Sequence, residues 1–340
     1  MSAPPAGPNP FRIFQTLGAF EQSFALKAAI DLDVFTAIAD GIVTATSLAS
    51  HCKASQRGVR SLCDALTSMD FLTKSGEAYG LTADSALFLN RHSQAYLGGA
   101  ATFLLNDTMV RSFADVGVAV RLGGTTLTGE GTVSEENPVW VDFAHGMGPM
   151  MFPAAQEIAT RILAETGGSP TRVLDMAAGH GMFGISVAQH HPLAEITALD
   201  WAPVLAVAEA NAAKMGVGAR HHKLPGDAFE TDFGTGWDLI LITNFLHHFD
   251  PETNVKLLRK VKAALAPGGR AITLEFVPNA DRVSPPTQAF FSLVMLATTR
   301  AGDAYTSAEY ERMFADAGFE GGVDCVALNA APQSVIIARA

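Results

Sequence analysis

The chain has 340 residues, 48% of them apolar and 17% charged, with a formal charge of −11. That length suits two domains, and the apolar surplus over an average soluble chain suggests surface buried between subunits. An acidic chain repels phosphate backbones, so nucleic acid is a poor partner and a small-molecule acceptor is easier to accommodate.

Residues 1–10 are proline-rich, lack the basic and apolar regions of a signal peptide, and read as a disordered leader. No apolar run reaches the length of a membrane span. Cys52, Cys63 and Cys325 are too few and too scattered for a disulfide framework, which points to a reducing, cytoplasmic setting. From 11 to 90 the pattern is helical, with Phe11, Phe14, Leu17, Phe20, Phe24 and Ala28 at helical spacing. Shorter helices are expected near 33–39 and 47–52. A longer one covers 56–69, with Val59, Leu62, Cys63 and Leu66 on one face. Phe71–Thr73 and Ala78–Leu81 flank a Lys-Ser-Gly-Glu turn as a β-hairpin. Helices plus a hairpin make a winged-helix module. Arg57 and Arg60 on its would-be recognition helix are offset by Asp64 and by the overall acidity, so dimerisation is expected there and DNA binding is not.

Residues 91–165 read as a helical connector and substrate lid, broken by the Gly/Thr-rich stretch 123–131, expected to be a mobile loop. From 166 to 340 the texture is strand–helix alternation, with strands near 172–175, 195–199, 219–224, 238–243 and 271–277. Val323–Leu328 and Ser334–Ala338 are too close together for a helical crossover, so they form an antiparallel hairpin at a sheet edge. The expected class is therefore α/β: a Rossmann-like, class I methyltransferase sheet with a C-terminal hairpin. Asp250-Pro251 and the capping box Thr306-Ser-Ala-Glu309 start two of the helices. Pro267-Gly268-Gly269 is expected to stop the first of these and turn the chain into the next strand.

The segment Asp175-Met-Ala177-Ala-Gly179-His-Gly181 follows the first strand of this half. Small residues there let backbone N–H groups approach an anionic carboxylate, as the methionine moiety of S-adenosyl-L-methionine would require. Asp175 can orient the loop and reach the cofactor amino group. Asp200, followed by Trp201, ends the second strand, where a carboxylate accepts from both ribose hydroxyls. After the third strand, Asp227 could accept from the adenine amino group, with Ala228 and Phe229 flanking the ring. Asn244 ends the fourth strand on the same rim. Gly179-His-Gly-Met-Phe-Gly184 also matches the dinucleotide fingerprint G-x-G-x-x-G, which keeps an NAD(P)-dependent oxidoreductase as an alternative. Against it, Asp175-Met-Ala-Ala separates the strand from the first of those glycines.

With Asn244-Phe-Leu-His247-His248-Phe249-Asp250 on that rim, the chain resembles small-molecule O-methyltransferases of the plant caffeate and acetylserotonin type and their bacterial relatives. The resemblance spans nearly the whole chain, including Phe143-Ala-His-Gly-Met147 and the Pro-Gly-Gly turn. It implies His247 as general base toward a hydroxyl, Glu275 holding that base, Phe249 stacking near adenine, and a homodimer intertwined through the first helix. A phenol of pKa ~10 is mostly protonated at neutral pH, and a His near ~6.5 can take its proton as the bond forms. Two departures stand out: His248 replaces an acidic neighbour, and Ala304-Tyr305 replaces the Glu-Arg of a family stretch Gly-x-Glu-Arg-Thr. His248 is expected to be exposed or to cap a helix.

Asn106, Trp140, Phe143, Met147, Met151, Gln288, Phe291, Met295 and Leu296 are candidate substrate contacts. Such a set suits a flat, apolar acceptor, although a Met and Phe stripe is as often core. The paired histidines 190–191 and 221–222 lack same-face ligand geometry, so no metal is expected. The alternatives are C- or N-methylation on the same scaffold, and a winged-helix regulator that binds a metabolite without catalysis.

Overall fold

In the computed structural model, which describes residues 8–133 and 137–340, the opening apolar repeat becomes one 21-residue helix, Phe11–Asp31. Most of the expected leader, 1–7, lies outside the described residues. Phe11, Ile13, Phe14, Leu17 and Phe20 of this helix are 60–68% exposed, while Ala29 and Ile30 near its end are buried. Helices Val34–Ala39, Ala45–His51 and Gln56–Ser68 follow. Thr44 and Ser55 cap the last two by accepting from backbone N–H groups. Val59, Cys63 and Leu66 are buried as their spacing requires, in one core with Phe35, Leu48 and Leu72. Strands β1 (Leu72–Ser75) and β2 (Ala78–Leu81) pair antiparallel, and β2 bridges back to Thr44. This is the winged-helix arrangement. On its would-be recognition helix, Asp64 pairs with both Arg60 (3.6 Å) and Lys74 (2.5 Å).

The chain divides into two compact units, Met1–Asn106 and Asp107–Ala340, so the expected connector is shared between them. The second unit begins with helices Asp107–Ala114, Val116–Leu122 and Val139–Glu157. The last continues through a π turn, Ile158–Ile162, into Leu163–Thr166. The stretch expected to be a mobile loop is instead pinned to the end of helix Pro286–Thr298. Thr125 N donates to Thr299 O (2.9 Å) and Thr132 N to Thr298 O (3.0 Å), and Glu130 pairs with Arg300 (2.7 Å). Long-range backbone pairing of this kind leaves no local sequence signal.

Seven strands form the main sheet: β3 (Arg172–Met176), β4 (Glu195–Asp200), β5 (His221–Pro225), β6 (Trp237–Thr243), β7 (Leu265–Glu275), β8 (Val323–Ala327) and β9 (Ser334–Arg339). Their order is β5-β4-β3-β6-β7-β9-β8. The first five are mutually parallel, and β9 runs antiparallel to both β7 and β8. The order reverses at β3, so the C-terminal ends of β3 and β6 open the crevice where such sheets bind ligands. Central strands β3 and β6 are buried almost throughout, as both faces are covered.

Two strand expectations need correction. Gly218–Arg220 is a 3₁₀ turn, so β5 starts at His221. Pro267-Gly-Gly269 lies inside β7, which ends at Glu275: Trp237 pairs with Leu265 and Leu239 with Arg270, so the tripeptide bulges rather than turning the chain. A Cβ on Gly269 would sit 2.6 Å from Trp237 O. The helix before it, Pro251–Ala264, has already stopped. Asp250 caps that helix, and Thr306 with Glu309 forms the capping box of Ser307–Asp316, as expected. No helix among the described residues is long and apolar enough to cross a membrane.

Candidate active site

The loop leaving β3 alternates left-handed backbone: Ala177 at φ 52°, Gly179 at 56° and Gly181 at 76°. Ala177 takes the position expected of a first glycine and accepts the strain that a Cβ brings there. Gly181 is tightly packed, since a Cβ would lie 3.0 Å from Ala208 Cβ. Asp175 is wholly buried, and its Oδ2 accepts from Gly184 N at 2.9 Å. It therefore ties the strand to the first turn of helix Met182–His190. Gly184 packs on β4 so closely that a Cβ would meet Ile196 at 2.6 Å. The third glycine of the apparent dinucleotide fingerprint thus serves helix–strand packing.

Asp200 closes the loop from the next strand. Its Oδ2 accepts from Gly179 N at 2.8 Å and its Oδ1 from Trp201 N at 2.7 Å. Burial lifts this carboxyl from its ordinary 3.8 to about 6. Burial, with Asp200 alongside, lifts Asp175 to about 7. Asp227 turns back onto its own loop, accepting from Phe229 N at 2.6 Å. Ala228 is buried beside it, and Phe229 meets Phe249 edge to face at 5.0 Å. Phe245, which sequence reasoning passed over, completes an aromatic trio, 5.0 Å from Phe249.

At the end of β6, Asn244 is held at φ 53°, with its Nδ2 3.9 Å from Met151 Sδ. The turn Leu246–His248 follows, all three residues buried. His247 Nδ1 meets Glu275 Oε2, and the Glu275 side chain is wholly buried. Glu275 Oε1 accepts from Phe245 N at 3.2 Å and Leu246 N at 2.9 Å, so one carboxylate fixes both ring and turn. Phe291 lies edge-on to His247 at 4.9 Å and stacks on Phe276 at 4.1 Å.

His248 is neither exposed nor a cap. It is 8% exposed, 4.3 Å from His247 and 5.1 Å from Trp140, ring to ring. Burial, and then the neighbouring His247, hold it well below the usual histidine range, so it is neutral. Trp140 continues to Phe143 (5.7 Å), and Phe143 stacks on His180 (5.6 Å). His180 was missed as a side chain because the glycines on either side drew attention to the backbone. Its ring is buried, its Nδ1 accepts from Met182 N at 3.1 Å, and burial drops it to about 4. Met147, Met151 and Met295 are buried. Asn106 belongs to the first unit, where its Nδ2 donates to Phe103 O.

Among the described residues, Asp175 Oδ1, His180 Nε2, Asn244 Oδ1 and His248 Nδ1 on this rim are buried without a hydrogen-bond partner. Such atoms are rare in folded chains and fit a site that a ligand completes. The tight glycine loop, the strand-end carboxylate of Asp200 and these open valences suit a nucleoside carrying an amino acid. Among the described residues no group of three or more His, Cys, Asp or Glu is placed to hold a metal.

Comparison with known proteins agrees with this geometry. The O-methyltransferase domain family matches residues 156–320, and the O-methyltransferase dimerisation domain matches 14–91. A Nostoc punctiforme protein, solved as a candidate O-methyltransferase, is 51% identical over 98% of this chain and 100% of its own, with a TM-score of 0.92. Mouse acetylserotonin O-methyltransferase is 29% identical, covering 91% of this chain and 84% of its own. The 3-hydroxy-5-methyl-1-naphthoate 3-O-methyltransferase of Streptomyces sahachiroi is 27% identical, covering 93% and 91%. A sheet carrying an antiparallel β9 between β7 and β8, with these matches, sets aside the oxidoreductase alternative. The chain belongs to the S-adenosylmethionine-dependent O-methyltransferase family, with its dimerisation domain at the N-terminal end.

Proposed function

We propose that the protein methylates a hydroxyl of a small, flat aromatic or polyketide-like metabolite, with His247 as general base. The observation that carries this reading is the His247–Glu275 pair, buried beside Phe291 on the strand-end rim. Of the relatives, one is named for a hydroxynaphthoate and another for acetylserotonin, both as O-methyltransferases. S-adenosylmethionine supplies an electrophilic methyl group on a sulfonium. Asp200 would hold its ribose hydroxyls, the 177–181 loop its amino-acid end, and Asp227 with Ala228, Phe229 and Phe249 its adenine. Trp140, Phe143, Met151 and Phe291 would flank the acceptor and exclude water. His247 takes the hydroxyl proton on its ring, and Glu275 balances the charge gained. The exposed apolar face of helix Phe11–Asp31 supports a homodimer. The acidic charge argues against nucleic acid, and the free cysteines fit a reducing cytoplasm.

Incubation with methyl-labelled cofactor and a panel of hydroxynaphthalenes and their methoxy-blocked counterparts tests the reading. Label should appear as an aryl methyl ether, and only when a free hydroxyl is present. Label on carbon or nitrogen would replace it with the other methylation chemistry.

Cofactor affinity should also depend on pH. A raised carboxyl pKa means that the folded, ligand-free chain holds the proton more tightly than the unfolded chain. This part of its stability is therefore present at low pH and lost as pH rises toward 6 and 7. Hydroxyl donors on Asp200 favour its ionised form. Binding of S-adenosylhomocysteine should therefore release a proton and tighten between about pH 5 and 7, by roughly tenfold for each unit that the pKa falls. Calorimetry in two buffers of different ionisation heat measures that release. Flat affinity from pH 5 to 8 would remove Asp200 from the ribose.

A further inference from the structure

The turn bearing His247 is a single 3₁₀ turn with weak internal bonds: His248 N to Phe245 O at 3.2 Å and Phe249 N to Leu246 O at 3.3 Å. Groups outside the catalytic pair hold its carbonyl side. Asn254 Nδ2 donates to Leu246 O at 2.9 Å and to Phe249 O at 3.3 Å, and Asp303 N donates to His247 O at 3.0 Å. The Tyr305 hydroxyl donates to Phe249 O at 2.6 Å. The segment carrying Tyr305 lies hard against the turn, since a Cβ on Gly302 would stand 2.3 Å from His247 O. Ala304, where the resemblance expects a carboxylate, is wholly buried and offers the base nothing. Tyr305 is 3% exposed and packs edge-on to Tyr310 at 5.8 Å. Burial, followed by nearby Asp303, raises its hydroxyl well above the usual range, so it stays a donor.

We propose that Tyr305 is a positioning residue for His247: with Asn254, its hydroxyl clasps the carbonyl side of the turn and fixes the imidazole for proton transfer. This chain thereby holds its base with one carboxylate and a hydroxyl–amide clasp, in place of a second acid. The inference rests on His247 being the base. Displacements of about 1 Å cost proton transfer and alignment up to roughly 10²-fold, so losing one of several clasp bonds should cost about tenfold.

The test compares wild type, Tyr305→Phe, His247→Ala and the double variant, on a phenol that is neutral at the assay pH and on one already ionised. Tyr305→Phe keeps the ring and its packing. Its kcat on the neutral phenol should fall about tenfold, with less than twofold loss on the ionised phenol. In the His247→Ala background the same change should cost less than twofold. Equal losses on both phenols, a loss additive with His247→Ala, or no loss at all would overturn the clasp. No loss in His247→Ala would overturn the base reading itself, and the clasp with it.

Discussion

Replacing His247 by Ala is expected to lower kcat on a phenolic acceptor by about 10²–10⁴-fold, the usual worth of a positioned general base. The ring has little freedom. Its Nδ1 is engaged by Glu275, whose other oxygen is occupied by the amides of Phe245 and Leu246. With Nδ1–H donated to that carboxylate, the lone pair falls on Nε2, the nitrogen left to receive a proton. The ring is also wedged between Phe291 and His248, and the neutral state of His248 avoids repelling the charge that His247 gains. Alanine removes the acceptor while the cofactor loop, built on β3 and β4, is untouched. The cofactor KM should therefore hold while kcat collapses, and an acceptor ionised at the assay pH should be largely spared. Steady-state rates on both acceptor types decide this. A loss under tenfold on the neutral phenol would mean that alignment alone carries the transfer.

Much of the fold was legible because its signals are local and periodic. Alternating strands and helices, the caps at Asp250 and Thr306, and the short spacing around Asn329–Pro332 led to the sheet and its edge hairpin. The strand-end positions of Asp175, Asp200 and Asn244 followed from the same parse, and the structure brings them to one rim. What escaped depends on contacts distant in sequence. The 123–131 stretch, with Thr132 after it, is pinned by Thr298 and Thr299, and the Pro-Gly-Gly bulge is set by register against Trp237. His248 reads as polar and therefore exposed, yet Trp140, more than a hundred positions earlier, covers it. Asn254 looks ordinary in sequence, and Tyr305 stands out there only as a departure, because their role is to satisfy backbone carbonyls that no motif records.

Asp200→Asn is expected to weaken S-adenosylhomocysteine binding by about 10²-fold, with the fold retained. The carboxylate accepts two backbone N–H groups, one on each oxygen, and still has lone pairs for a ribose. An Asn amide has one oxygen, so either Gly179 N or Trp201 N must face an NH₂ group. That loses a charge-assisted hydrogen bond worth about 1.5–3 kcal/mol and turns a ribose acceptor into a donor, where each 1.4 kcal/mol is tenfold in affinity. Phe143 packs against Gly179, where a Cβ would stand 3.2 Å from its ring. The mismatch therefore reaches the loop that would cradle the cofactor. Because Asp200 is also the group whose ionisation cofactor binding would drive, the variant should lose most of the proton release between about pH 5 and 7. Calorimetry with S-adenosylhomocysteine at pH 6 and 8, beside far-UV circular dichroism, separates the outcomes. Affinity within threefold of wild type, or an unchanged pH dependence, would take Asp200 out of the cofactor site and leave it as a strut for the glycine loop.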